Sequence, residues 1–262
     1  MPRRILEIGI GSGGQTRAVE DWAHVHAAQF VAIDPKPACD VPVIVQRHPG
    51  VMTWHEDLSL AVLPELPAVD VALVDGDHNW FTVFHELRLL FEAADRDRCA
   101  PPIVLCHDVA WPYGRRDLYY NPDTIPPAWR QPYRQAGMVP GSSDLVGARG
   151  VNADFFNAER EGGPRNGTLT AIEDFLAAGT ATIELLTLPL LNGLGILIPE
   201  ARLAGNAAMR DLVGYFRSVT FYDALLRLAE RHRLESARAL ETVIRRGRLV
   251  SRRVAPGSAA AS

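Results

Sequence analysis

Cysteine is scarce in this chain and falls in no useful pattern. Cys39, Cys99 and Cys106 are odd in number and make no C-x-x-C spacing, which argues against a disulfide framework and against a zinc knuckle. A reducing compartment, the cytoplasm, is the expectation. No apolar run is long enough to span a membrane, and no basic segment followed by an apolar one opens the chain, so no membrane partner is expected. Lysine is reduced to Lys36 beside abundant arginine. Acidic residues outnumber basic ones 31 to 27, for a net charge of −4. That balance argues against a protein whose main business is wrapping nucleic acid and favours small polar substrates. Internal repeats are missing as well.

What is present is the rhythm of an α/β protein. Over the first 110 residues, apolar β-branched runs (RILEIGI, QFVAID, VDVALVD, PPIVLCHD) alternate with the helical stretches QTRAVEDWAHVHAA and NWFTVFHELRLLFEAA. Such alternation predicts βαβ units on a mostly parallel, Rossmann-like doubly wound sheet, with ligands at the carboxyl ends of its strands. From 109 to 179 the pattern gives way to a Pro-, Gly-, Arg- and aromatic-rich insertion, expected to form a cap over those strand ends. TLTAIEDFL within it reads as a helix, Thr170 and Glu173 having capping-box spacing. TIELLTLPL and GLGILIPE, joined through Asn192 and Gly193, predict a closing antiparallel hairpin. C-terminal helices, increasingly basic, follow to about 253, and 254–262 reads as a disordered tail. One domain over 1–253 is the expected organisation.

The glycines of ILEIGIGSGG raise the first question of chemistry. Gly9, Gly11 and Gly14 have the G-x-G-x-x-G spacing of a dinucleotide turn, and Asp34 lies about 20 residues on, where a ribose-binding acid belongs. Glu7, two residues before the first glycine, would lie near the pyrophosphate in a dinucleotide site. In a site for S-adenosylmethionine (SAM) it can reach the ligand's ammonium group.

Glu7-Ile-Gly9-Ile-Gly11-Ser-Gly13 resembles the E-x-G-x-G-x-G loop of class I SAM-dependent methyltransferases. The resemblance implies that Glu7, Gly9, Gly11 and Gly13 cradle SAM, that Asp34 holds the ribose hydroxyls, that Asp57 contacts the adenine, with Glu56 as an alternative, and that Asp75 borders the cofactor as well. An NAD(P)-dependent oxidoreductase is the rival the same glycines permit, and a non-catalytic SAM-binding protein is a second.

LVDGDHNW and LCHDVAW form a second constellation, carrying Asp75, Asp77 and His78 at one strand end and His107 and Asp108 at another. Adjacent parallel strands would bring all five side chains to one rim. Singly, any of them could be a helix cap or turn residue; Asp77 or His78 could start the following helix. Together they resemble the metal-dependent small-molecule and sugar O-methyltransferases, the branch that includes the cephalosporin-hydroxylase-like proteins. That likeness implies O-methylation with Asp75, Asp108 and His107 as ligands of a divalent metal, Mg²⁺ or Mn²⁺, and Asp77 or His78 as general base. A cation lowers the pKa of an otherwise unreactive hydroxyl while a base takes its proton. His107 departs from the pattern, which has an acid there. Either the metal is one that accepts nitrogen, or none is held and His107 itself assists.

The cap would supply Trp111, Tyr113, Arg115, Arg116, Tyr119, Tyr120 and, from EGGPRNG, Arg165 and Asn166. Aromatic faces stack on sugars and arginine pairs with phosphate or carboxylate, so the expected partner is a glycosylated or nucleotide-sugar acceptor. A homo-oligomer is expected, with no nucleic-acid partner.

Overall fold

A computed structural model describes residues 1–179, 181–232, 235 and 236. In chain order the elements are β1 (Arg4–Ile8), α1 (Gly14–Val25), β2 (Gln29–Ile33), α2 (Val41–Val45), β3 (Met52–His55), α3 (Ser59–Val62), β4 (Val71–Val74), α4 (Trp80–Arg96) and β5 (Ile103–His107). The cap contributes β6 (Leu118–Tyr119), β7 (Tyr133–Gln135), β8 (Phe156–Ala158) and α5 (Thr168–Ala178). β9 (Ile183–Leu188), β10 (Leu194–Pro199), α6 (Glu200–Leu203) and α7 (Ala207–Phe216) follow.

Seven strands form one sheet in the order β3-β2-β1-β4-β5-β10-β9. The first five are parallel, and β10 runs antiparallel to both its neighbours. This is the Rossmann-like doubly wound sheet with an antiparallel hairpin strand. The order reverses between β1 and β4, which opens a crevice at their carboxyl ends. Alternation along each strand explains the two cores. Leu6, Ile8, Val74, Val104 and Leu197 pack under α4 and α5, while Ile5, Phe30 and Ala32 pack with Ala23 and Ile44 of α1 and α2. The hairpin turns through Asn192 and Gly193 at φ 68° and 89°, the left-handed conformation these residue types tolerate.

The cap is more ordered than its composition predicts. Its strands form a second, three-stranded sheet, β6-β8-β7. Strands of two or three residues are too short to show an alternating pattern. The capping box expected at Thr170 and Glu173 is not formed, because α5 begins two residues earlier behind Gly167. Glu173 instead grips Arg115 at 2.5 and 2.6 Å, and Thr170 accepts a bond from the same guanidinium.

The chain divides into two compact units, Met1–Ala207 and a second beginning at Ala208. Nearly all of α7 lies in the second, where Tyr215, Phe216, Phe221 and Tyr222 form a run of edge-on and tilted ring contacts. Most of the basic C-terminal stretch and the expected tail at 254–262 lie outside the described residues. Among the described residues, no helix is long and apolar enough to cross a membrane.

Candidate active site

The turn after β1 is built by close backbone approach. Gly9 donates to Ile33 O at 2.9 Å and Asp75 N donates to Ile8 O at 2.8 Å, locking β1 between β2 and β4. At Gly9 the backbone has φ 91°, and a Cβ there would collide with the carbonyl of Asp75. Gly11 (φ 53°) has nothing near its missing side chain and lines the cleft. Gly13, at φ 75°, caps α1, and a Cβ on it would crowd Cys39 and Ile44 rather than the cleft, so packing explains it.

Asp34 stands at the end of β2. One carboxylate oxygen accepts from Ile10 N at 2.8 Å and Gly11 N at 3.2 Å, the other from Lys36 N at 2.8 Å, so it shapes the turn while facing the cleft. Glu7 is only 1% exposed. Gln15 donates to its Oε1 at 3.1 Å, the Thr16 hydroxyl and Gln15 both favour the charged form, and burial, the larger effect, pushes the carboxyl up to about 7. A buried acid beside an N-terminal glycine turn suits a cationic ligand group, which would stabilise its charged form.

The cleft has a volume of about 660 Å³ and runs from Gly9, Gly11 and Asp34 past Leu58 and Ser59 to Asp75 and Asp77, with Tyr120 contributed by the cap. Asp57 does not line it; its exposed carboxylate accepts the amide of Leu58 at 2.7 Å. Glu86, which sequence reasoning missed, does. It is fully buried on α4, takes a 2.5 Å bond from the Ser59 hydroxyl, and leaves Oε2 unpartnered. A signal was available: Glu86 falls on the apolar stripe of Val83, Leu87 and Leu90.

Asp75 links the cleft to the second constellation, which the fold does assemble. His107 Nδ1 lies 3.0 Å from an Asp108 oxygen and 3.1 Å from Asp75, while Nε2 lies 2.9 Å from Leu191 O at the hairpin tip. Hydrogen bonding to Asp108, then to Asp75, lifts the imidazole to about 10. One potential ligand atom from each of Asp75, His107 and Asp108 can be chosen so that all three lie within 4.8 Å of one another. Asp108 is 4% exposed, and its Oδ1 is buried without a partner. His78 Nε2 approaches Asp108 at 3.5 Å, and its ring lies between Tyr113 and Tyr120, each 5.7 Å away. Neither His78 nor Asp77 starts α4. Asn79 caps it, and Asp77 accepts from the Thr82 hydroxyl at 3.1 Å, its carboxyl raised by burial. A second acidic group, Glu20, Asp21 and His48, is already occupied by the guanidinium of Arg47.

Several cap residues expected to meet substrate have other work. Arg116 is 1% exposed and donates to the carbonyls of Ala158 and Ser143. Arg115 is held by Glu173. Tyr119 is buried, donating to Asp117 and accepting from Gln131 N, both at 2.8 Å. Arg165 covers the Trp129 ring at 4.6 Å, and Trp111 packs on the cap's own core of Tyr113, Leu118, Ala136, Met138 and Leu145. Asn166 ties Asp117 N to the carbonyls of Arg160 and Gly162. Buried Asp117 in turn bonds Trp80 N and Gly167 N at 2.7 Å each, fastening the cap to α4. The composition of the insertion was legible, but its inward and outward faces were not. Of the cap residues singled out from the sequence, Tyr120 lines the cleft.

No family model matches the chain, and no curated protein matches it. Similar solved structures exist at low identity. An SAH-bound methyltransferase of Podospora anserina shares 18% identity over 76% of this chain and 72% of its own, with a TM-score of 0.47. The 1,6-didemethyltoxoflavin-N1-methyltransferase of Burkholderia thailandensis, with S-adenosylhomocysteine bound, shares 14% over 76% and 70%, with a TM-score of 0.40. Human N-acetylserotonin methyltransferase in complex with SAM shares 14%, covering 76% of this chain but 47% of that one, at a TM-score of 0.39. Such distances leave function to be read from the site itself.

Proposed function

We propose that the protein is a SAM-dependent O-methyltransferase acting on a hydroxyl of a small, sugar-bearing acceptor. The observation that carries this is the convergence of Asp75, His107 and Asp108 beside a cleft lined by Gly9, Gly11 and Asp34. Glu7, buried beneath the glycine turn, is suited to the ammonium group of SAM, and Asp34, on the cleft, to the ribose. SAM supplies an electrophilic methyl group, and the C–S bond breaks as the acceptor oxygen forms the new C–O bond, leaving S-adenosylhomocysteine (SAH).

His78 is the better general base of the two candidates. It is buried between aromatic rings, and Asp108 at 3.5 Å stabilises the imidazolium that forms when it takes the hydroxyl proton. Asp77 is committed to Thr82. Tyr120, exposed at the cleft, offers a face for a sugar ring.

Asp75, Asp108 and His107 would hold a divalent cation, which would lower the pKa of the acceptor hydroxyl. The unpartnered Oδ1 of Asp108 fits a ligand role, and a set of two carboxylates and an imidazole suits Mn²⁺ better than Mg²⁺. A second reading has an observation of its own: both ring nitrogens of His107 already have partners. There the imidazolium itself supplies the positive charge between the carboxylates, and the methyltransferase needs no metal.

Thermal-shift titration tests the cofactor. SAH raises the melting temperature while NAD(H) and NADP(H) do not; the opposite outcome makes the protein a Rossmann oxidoreductase. Mn²⁺ titration then separates the two versions. Stabilisation that is reversed by chelator and lost in Asp75→Ala supports the metal, and indifference to both supports the imidazolium.

A further inference from the structure

Glu86 is a buried acid for which the catalytic scheme has no use. It lies at the cleft surface from beneath, 0% exposed to solvent, with Oε1 fixed by the Ser59 hydroxyl at 2.5 Å and Oε2 without a partner. A buried polar oxygen left open costs about 1–3 kcal/mol, and its position on a ligand cleft gives it an obvious means of satisfaction.

The cleft's own walls say which part of a nucleoside would meet it. On the SAM assignment, the glycine turn with buried Glu7 beneath it takes the amino-acid end and Asp34 at the end of β2 takes the ribose. The other walls include Leu58 and Ser59 with Glu86, from the loop into α3 and from α4, as well as Pro35, Lys36 and Ala38 and the cap's Tyr120, Asn121 and Thr124; of these, Glu86 offers a buried side-chain oxygen without a partner. We infer that Glu86, oriented by Ser59, reads the adenine base as a neutral carboxylic acid, in the role the sequence assigned to Asp57. The inference rests on the assignment of the cleft to SAM. A protonated carboxyl offers one O–H donor and one carbonyl acceptor side by side. Adenine presents the complementary pair, an amino donor at the 6-position beside a ring-nitrogen acceptor. A 6-oxo purine reverses the pair, an acceptor at the 6-position beside a ring N–H, and it mismatches because the Ser59 hydroxyl donates to Oε1 and so keeps that oxygen the acceptor and the proton on Oε2.

The protonation state follows from the surroundings. Burial holds the carboxyl at about 8, and the ionisable groups facing it are both acids, Asp77 from the loop after β4 and the Cys106 thiol of β5. Burial comes first and the Asp77 carboxylate adds repulsion, while the Cys106 thiol, itself pushed well up by burial, stays neutral; the form of Glu86 that can donate is therefore the one that prevails at pH 7.

Isothermal titration with SAH and with its inosine counterpart, S-inosylhomocysteine, tests this without any acceptor. Wild-type protein binds SAH at least about tenfold more tightly, and Glu86→Leu narrows that preference to about threefold or less by weakening SAH. From pH 7 to 9.5 the wild type loses about tenfold more SAH affinity than Glu86→Gln, whose amide keeps donor and acceptor but cannot ionise. A folded Glu86→Leu that retains both affinity and preference overturns the inference. If that variant does not fold, equal affinity of the wild type for the two nucleosides overturns it alone. Failure of the wild type to bind SAH at all refutes the cofactor assignment as well, which distinguishes the two.

Discussion

Asp108 follows His107 in the chain, yet its carboxylate turns back to within 3.0 Å of that neighbour's Nδ1, through a left-handed backbone at φ 59°. Asp and Asn tolerate that conformation better than other side chains. Asp108→Asn should therefore fold with little loss of stability while lowering methyl transfer by about a hundredfold, because the neutral amide supports neither a cation nor the His78 imidazolium. Asp108→Ala should lose about 1 kcal/mol more stability from backbone strain. Thermal melts give the stability. Mass spectrometry of a complemented deletion strain, which otherwise accumulates a metabolite lighter by one methylene, gives the activity.

Glu7 sets ligand binding against stability. Its native pKa of about 7 lies above the ordinary carboxylate value, so native protein holds the proton more tightly than unfolded chain does. That contribution is complete below pH 4.5 and disappears as pH rises through 7. Glu7→Gln should accordingly be more stable than wild type by about 3 kcal/mol at pH 8, with the difference vanishing near pH 4.5. SAH affinity should fall at least about tenfold in the same variant. Urea unfolding at the two pH values and one titration suffice; equal stability at pH 8 would contradict the burial argument.

The two glycines of the turn should separate folding from binding. Gly9→Ala forces a methyl into the Asp75 carbonyl and should cost at least about 3 kcal/mol or abolish soluble expression. Gly11→Ala meets no atom and should cost about 1 kcal/mol for its positive φ, while reducing SAH affinity by narrowing the cleft.

Arg115 and Arg116 should behave differently although adjacent. Arg116→Ala leaves the Ala158 and Ser143 carbonyls without their donor inside the cap and should cost about 2–4 kcal/mol, whereas Arg115→Ala removes an exposed ion pair worth below about 1 kcal/mol. SAH affinity should survive in both folded variants. A large affinity loss in Arg115→Ala with unchanged stability would return it to the substrate site.

Much of the site was legible because strand ends in a doubly wound sheet are predictable positions. Asp34, Asp75 and the His107–Asp108 pair each close an apolar run, so identifying the strands located the acids. Asp57 was harder. The residue after β3 is set by a short loop, and a shift of one position exchanges a cleft-facing side chain for a solvent-facing one; Leu58 and Ser59, not Asp57, line the wall.

The sequence by itself determined the α/β alternation, the glycine turn, the closing hairpin and the acids at the strand ends, since all are written in local periodicity and in residues required for positive φ. Tertiary structure alone decided which side chains of the cap face inward and that Glu86 of α4 joins Ser59 beneath the cleft. Those relationships join residues far apart in the chain, Arg116 with Ala158 and Ser59 with Glu86. No local pattern encodes such a pairing, because it is fixed only when separate elements pack and each buried polar group must find a partner.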